Sequence, residues 1–120
     1  MEQEFDRKFV KKLLASRKSE ALEWLEGGSA KSFRNIGELE TTEESIAFIQ
    51  RLYTLGAKTV LAVEIIEWEE GENTGNLLVE LPREGHLRIE LFAFEKQHAE
   101  SMGFEGAEDT GQLYLYFKLD

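Results

Sequence analysis

The apolar residues at the start of the chain are spaced as they are in amphipathic helices. From Phe5 to Leu14 they recur on one helical face, which predicts a helix over about residues 3–17. A second apolar group predicts another helix, or a continuation of the first, over about 19–26. Two glycines in "GGS" at 27–29 favour non-helical backbone, so the helical region is expected to end there.

Helical spacing and alternation also divide the rest of the chain into elements. Thr41 and Glu44 have the spacing of a capping box, and Gly56 follows as a helix-ending glycine. Pro82 occupies a first-turn position before a second apolar stripe, and Gly103 is expected to end that helix. Runs of β-branched and aromatic residues predict strands around these helices. The resulting order is strand, helix, strand, strand, helix, strand, at about residues 31–40, 41–57, 58–68, 76–81, 83–103 and 112–119.

This order of elements resembles the split βαβ, or ferredoxin-like, arrangement. In that arrangement two right-handed βαβ units interleave into one four-stranded antiparallel sheet with two helices on one face. We therefore predict an α+β fold of this type for a body at residues 29–120, preceded by an N-terminal helical arm at residues 1–28. A length of 120 residues with 42% hydrophobic content is consistent with a single globular domain overall.

The last predicted strand indicates that both faces of the sheet are apolar. Its alternation sends Tyr114 and Tyr116 to the face opposite the core, where Trp68 is expected to join them. The alternate positions, expected in the core, are Leu113, Leu115, Phe117 and Leu119. A bare face of this kind exceeds what a monomer usually exposes. We expect the arm to cover this face through Phe5, Phe9, Leu13, Trp24 and Leu25. The alternative is that a second copy of the chain covers it.

The charge of the chain is strongly negative and uneven. Its 24 acidic and 14 basic residues give a net charge of -10. Residues 1–18 carry six basic and three acidic side chains, which leaves -13 on the remainder. Such a field repels nucleic-acid phosphates and anionic lipid heads, so neither is an expected partner. A basic protein is the expected partner.

Several kinds of chemistry have no sequence pattern here. There is no cysteine, which excludes disulfides and thiolate sites, and no apolar run approaches the length of a membrane span. No nucleophile, dinucleotide or phosphate-loop motif occurs, so we expect no cofactor and no catalysis, with a metal-assisted enzyme as the alternative. His98 is expected to be partly buried and hydrogen-bonded, and His86 to be exposed. The plain expectation is a soluble, cytoplasmic protein.

One short pattern occurs twice, as "ENTGNL" at 72–77 and "EDTGQL" at 108–113. In the ferredoxin-like order the strands after both copies are parallel, so both turns would lie on one rim of the sheet. That rim would collect eight acidic residues, namely Glu38, Glu40, Glu67, Glu69, Glu70, Glu72, Glu108 and Asp109. No basic residue occurs between Thr59 and Pro82, so the rim would have little local counter-charge.

Turn chemistry explains the repeat without a ligand. Asn73 and Asp109 would each cap their own turn, and Gly75 and Gly111 would supply positive φ angles. The alternative is a divalent cation, most plausibly calcium, held by Glu70, Glu72, Glu108 and Asp109. Leu81 stands where an EF-hand loop would carry its bidentate acid, so the site would be of another type.

Taken together, these features predict protein–protein interaction or regulation without catalysis. The expected interaction surface consists of Glu67, Trp68, Glu69, Glu70, Glu72, Tyr114 and Tyr116. The alternative is a cation at the acidic rim, or a small ligand on the aromatic sheet face. A homodimer through the aromatic face is the other arrangement that the pattern allows.

Overall fold

The computed structural model of the chain describes residues 2–28, 33–69 and 71–120, with only the backbone described for residues 2–7. The helices in these ranges are α1 Glu2–Ala15, α2 Ala21–Glu26, α3 Thr42–Thr54 and α4 Gly85–Ser101. The strands are β1 Ser19–Glu20, β2 Phe33–Ile36, β3 Thr59–Val63, β4 Ile66–Trp68, β5 Gly71–Thr74, β6 Asn76–Glu80 and β7 Tyr114–Lys118. No helix in the described ranges is both long enough and apolar enough to cross a bilayer.

The strands form two sheets. The main sheet has the order β1-β3-β6-β7, and each neighbouring pair in it is antiparallel. The small sheet has the order β2-β5-β4, with β2 parallel and β4 antiparallel to the central β5. The predicted α+β class with a four-stranded antiparallel sheet is therefore confirmed.

The ferredoxin-like strand order is wrong, for three local reasons. The predicted first strand forms β2, which pairs in the small sheet, while the two-residue β1 takes an edge of the main sheet. The predicted strand at 58–68 breaks at Glu64, whose φ is 52°, and becomes β3 and β4 in different sheets. The predicted acidic loop contains β5. Strands β6 and β7 are adjacent and antiparallel, where the prediction made them parallel.

The main sheet is buried on both faces. Side chains from α2, α3 and α4 pack on one face in a single cluster, which includes Trp24, Leu52, Leu91 and Phe117. The helix α1 packs on the other face, where Leu13 is fully buried with Val63 and Leu78. Alternate residues of each strand point to opposite faces, so β3, β6 and β7 supply both clusters.

The helix α1 covers the aromatic face, as predicted for the arm. Tyr114 and Tyr116 lie half-buried beneath it, and the Phe9 and Tyr116 rings meet edge to face with centroids 4.9 Å apart. The side chain of Phe5 lies outside the described residues. The predicted contribution of Trp24 and Leu25 is wrong, because both are buried in the cluster on the opposite face. The two helices α1 and α2 thus contribute buried side chains to opposite faces of the main sheet.

One core assignment in the last strand is also wrong. Leu115, Phe117 and Leu119 are buried as predicted, but Leu113 is 73% exposed. The strand begins only at Tyr114, so the alternation that buries its inward positions does not extend to Leu113. The Leu113 carbonyl instead accepts a hydrogen bond from the Leu81 amide at 2.8 Å.

The two copies of the repeat have different structures. Most of copy one lies in strand β5, where the Asn73 amide donates to the Asn35 backbone carbonyl and side chain. Gly75, which follows β5, has no positive φ. Copy two is the predicted turn, in which the Asp109 carboxylate accepts from the Gly111 amide at 2.9 Å and Gly111 has φ 79°. Since Asn76 pairs with Lys118 and Glu80 with Tyr114, the copies flank opposite ends of the β6–β7 ladder. The shared rim is therefore absent.

The second turn can be tested at Gly111. An added Cβ there would have no heavy atom within 4 Å, so the cost of alanine comes from the backbone alone. We expect Gly111→Ala to lower the free energy of unfolding by about 1 kcal/mol, measured by urea denaturation. Asparagine tolerates this backbone region, so Gly111→Asn should cost about half as much. Equal stability of both variants and the wild type would show that the turn is not held at this φ.

Candidate functional site

A buried carboxylate, that of Glu72, lies on β5. It is only 6% exposed. The indole N–H of Trp24 donates to Glu72 Oε1 at 3.0 Å, and Arg17 Nη2 donates to Oε2. Arg34 Nε lies 3.2 Å from Oε1. Glu72 therefore ties the segment after α1, helix α2 and strand β2 to the centre of the small sheet.

The electrostatics of Glu72 favour its charged form. Burial raises the pKa of this carboxyl group, but hydrogen bonds from Trp24 and Arg17 and the charges of Arg17 and Arg34 outweigh burial. The pKa of Glu72 is consequently lower than its ordinary value of 4.5. The Arg34 guanidinium also donates to the Trp24 carbonyl at 2.6 Å, which closes the network. A carboxylate already bonded in this way is a structural clamp rather than an open ligand.

The three predicted cation ligands that lie in the described ranges, Glu72, Glu108 and Asp109, are not brought together. Glu72 is bonded to arginines, and Asp109 forms a two-pronged pair with Arg88, at 2.6 and 3.0 Å. The hydrogen bonds from Arg88 hold the pKa of Asp109 below its usual value. Glu108 is exposed beside that second turn, and Glu70 lies outside the described residues. Within the described ranges, no three acidic or histidine side chains are grouped so as to hold a metal ion.

The predicted interaction surface divides into three parts. Tyr114 and Tyr116 are partly covered by α1, and Glu72 is buried. Glu67, Trp68 and Glu69 are exposed, on and just after β4. Among the members of this surface that the structure describes, only this last part presents fully exposed side chains at one place. The site that remains is centred on the small sheet.

One face of the small sheet, here called the outer face, carries exposed apolar side chains. Strand register places Phe33, Gly71 and Trp68 in one row across β2, β5 and β4. The next row contains Asn35, Asn73 and Ile66. Phe33 is 37%, Trp68 51% and Ile66 66% exposed. The opposite face contains Ile36, Glu72 and Thr74, all of them buried.

Between these side chains lies an open hollow. Its volume is about 400 Å³, and it is lined by Asn35, Gly37, Ile66, Trp68 and Asn73. The Asn73 amide donates to Asn35 Oδ1 at 3.0 Å, and the Asn35 amide donates to the Leu39 carbonyl at 2.9 Å. These bonds fix the two amides as a rigid polar floor beside the indole of Trp68.

Strand β4 is also an open edge. In the described ranges β4 pairs only with β5, and each of its three residues is exposed. Just before it, the backbone amides of Glu64 and Ile65 are bonded to Ser16 and Arg17, at 2.9 and 3.2 Å. The segment just after α1 therefore anchors the corner that leads into β4. An exposed edge with apolar side chains is the usual template for pairing with another chain.

The sequence pattern located only part of this site. Trp68 and Glu67 were placed on a surface because they end a β-branched run. Phe33 and Asn35 were not singled out, and Asn73 was assigned only to the cap of a turn. Those three residues join the site through the parallel pairing of β2 with β5, across 38 positions of chain. Alternation within "FRNI" was the available signal, and it is too short to identify a partner strand.

Two other titratable groups are structural. Glu95 on α4 is buried, and its carboxylate accepts from the Ala107 amide at 2.8 Å. Burial raises the pKa of Glu95, against the opposing effects of that bond and of His98. His98 is half-buried and lies 3.1 Å from the Lys118 carbonyl, as predicted, and His86 is exposed, as predicted. Glu95 and His98 serve to hold the loop after α4 and strand β7 against that helix.

Comparisons with protein-family models, with curated proteins and with solved structures gave no match. Function is therefore inferred from the residues of this chain alone.

Proposed function

We propose that this chain binds a basic protein partner through the outer face of the small sheet and does so without catalysis. The observation that carries the proposal is the grouping of Phe33, Ile66 and Trp68 on one exposed face. Aromatic and large aliphatic side chains of this kind are the usual anchors of protein interfaces. Their burial by a partner would remove an apolar patch from water.

The charge of the surroundings selects the partner. Glu69 is exposed directly after Trp68, and Glu67 is exposed at the same edge strand but projects from the opposite face of the small sheet. The stretch from Thr59 to Pro82 has no basic residue. The net charge of -10 adds a long-range field of the same sign. Such a field speeds the approach of a basic protein and repels an acidic one.

The test is capture of partners by the immobilised full chain from a lysate of the source organism. We expect a set of basic proteins to be retained at low salt and released as salt rises, because screening weakens charge attraction. A variant with Ile66→Ser and Trp68→Ser should retain at least about ten-fold less of them. Both positions are exposed, so the variant should keep the wild-type resistance to urea.

The matched control is Ile89→Ser on α4, since Ile89 is 70% exposed and lies in another element. This variant should retain the same proteins as the wild type. Equal retention by the double variant and the wild type would contradict the proposal, as would a retained set that is not basic.

A small planar ligand in the hollow is a second candidate. It is favoured by the fixed amides of Asn35 and Asn73 beside the indole of Trp68, an arrangement that offers hydrogen bonds next to a stacking surface. Amide chemical shifts measured during a screen of small aromatic compounds would test it. Saturable shifts at both asparagines support it, and their absence across the screen counts against it.

A further inference from the structure

Glu67 lies directly opposite Glu72 in the antiparallel β4–β5 ladder. Directly opposed side chains on neighbouring strands have Cβ atoms about 5 Å apart, and like charges in that position are unfavourable. Arg17 and Arg34 both pair with Glu72. In the described part of the chain no basic side chain forms an ion pair with Glu67. The exposed acid of the pair thus lacks a counter-charge.

The open side of β4 is where such a counter-charge would arrive. A strand added there would place a residue directly beside Glu67, on the same face of the small sheet. Its neighbours at plus and minus one would point to the outer face, beside Ile66 and Trp68. A basic residue between two apolar residues would match all three positions of β4.

We infer that β4 binds an extended segment of the partner by strand addition and selects the local pattern apolar–basic–apolar. This inference rests on the proposed function and specifies its partner. The basic side chain pairs with Glu67, and the two apolar side chains extend the patch formed by Ile66 and Trp68 over the hollow. Main-chain hydrogen bonds to the β4 edge supply sequence-independent affinity, and the side chains supply selectivity.

The probe is a nine-residue peptide with blocked ends. Val-Lys-Val forms its centre, and the three residues on each side are threonine and serine. Its binding to the full chain is followed by the anisotropy of an end-label, and its position by the amide chemical shifts of residues 66–68. We expect saturable binding with shifts at these residues. A peptide with Val-Glu-Val at its centre should bind at least about ten-fold more weakly, because like charges would then face each other.

Backbone pairing is tested separately from side-chain contact. A peptide N-methylated at its three central residues keeps every side chain but loses the donors that a strand needs. Its binding should fall below detection. If it binds as well as the unmethylated peptide, strand addition is wrong.

Selectivity is tested at Glu67. We expect Glu67→Gln to weaken binding of the lysine peptide about two- to five-fold, and Glu67→Lys to reverse the preference between the lysine and glutamate peptides. The matched control is Glu90→Gln, which removes an exposed acid on α4, away from β4, and should change affinity less than about two-fold. Equal effects at the two positions would overturn the role of Glu67.

Two further outcomes are decisive. If no peptide binds while the Ile66 and Trp68 double variant still loses the basic proteins of the lysate, strand addition is wrong and the broader surface proposal stands. If the chain alone dimerises in sedimentation velocity and Glu67→Lys dissociates the dimer, the occupant of β4 is a second copy, and a basic segment from another protein is excluded as the inferred ligand.

Discussion

Replacing Glu72 with glutamine should lower the free energy of unfolding by about 2–3 kcal/mol. Glutamine keeps the size of the side chain and can still accept from Trp24, but it removes the charge that Arg17 and Arg34 share. Leaving the largely buried Arg34 guanidinium without this counter-charge is more costly than losing an ordinary hydrogen bond. The Arg17 side chain is 51% exposed, so part of its interaction is screened, and the expected loss lies below the largest values for buried pairs.

The measurement is equilibrium urea denaturation at neutral pH, with Glu67→Gln as the control. Glu67 faces Glu72 across the ladder but is exposed, so the same chemical change should alter stability by less than about 0.5 kcal/mol. A control that is slightly more stable than the wild type would also fit, because one like-charge contact is removed. Equal losses at the two positions would show that Glu72 is not the buried clamp described above.

The same comparison has a defined pH dependence. The pKa of Glu72 lies below 4.5 in the folded chain, so its contribution to stability is fully present above that value. It is lost as the pH falls through the folded pKa, because protonation then removes the charge in the folded state as well. The stability difference between wild type and Glu72→Gln should therefore be constant at neutral and mildly acidic pH and shrink once the pH falls below the ordinary value of 4.5. A difference that grows with acid would contradict the lowered pKa.

Elements set by local signals were predictable from sequence. The helices α3 and α4 fall within a few residues of their predicted bounds, because caps and periodicity are encoded nearby. Thr41 accepts from the Glu44 amide at 3.0 Å, which is the predicted cap. The cover over Tyr114 and Tyr116 was also predicted, because an apolar face and an amphipathic helix can be matched by composition.

Pairing between short strands was not predictable. The two-residue strand β1 has no alternation, and its position in the main sheet depends on its bonds to β3. The chain also leaves the main sheet at Glu64, a non-glycine residue with positive φ, and no local sequence pattern predicts this conformation. These two features decide the sheet order, so a correct list of elements still led to the wrong topology.

The candidate site shows the same division. Trp68 and Glu67 were located by pattern, because a β-branched run followed by acids is read directly from the chain. The burial of Glu72 depends on Arg17 and Arg34, which are 55 and 38 positions away. The sequence pattern therefore placed Glu72 among exposed acids, whereas the fold buries it at the centre of the arginine and tryptophan contacts.

The second large effect is expected at Leu13, which fixes α1 to the main sheet. Leu13 is fully buried against Val63 and Leu78, whereas Leu14 beside it is only partly buried. We expect Leu13→Ala to lower the free energy of unfolding by about 3 kcal/mol and Leu14→Ala by about 1 kcal/mol. Both changes are leucine to alanine in one helix, so helix propensity cancels and the difference reports packing alone.

Urea denaturation followed by far-ultraviolet circular dichroism and by tryptophan fluorescence distinguishes two cases. If α1 folds together with the rest, both probes give one transition in Leu13→Ala, shifted to lower urea. With Trp68 replaced by phenylalanine in every variant compared, Trp24 is the remaining tryptophan, and it lies in the cluster on the opposite face of the sheet, so the fluorescence shifts only when unfolding reaches that face. Equal stabilities of the two variants, or a helical transition that leaves the fluorescence unchanged, would mean that α1 is a detachable arm. The corner before β4, which Ser16 and Arg17 just after α1 anchor, would then open independently of the core.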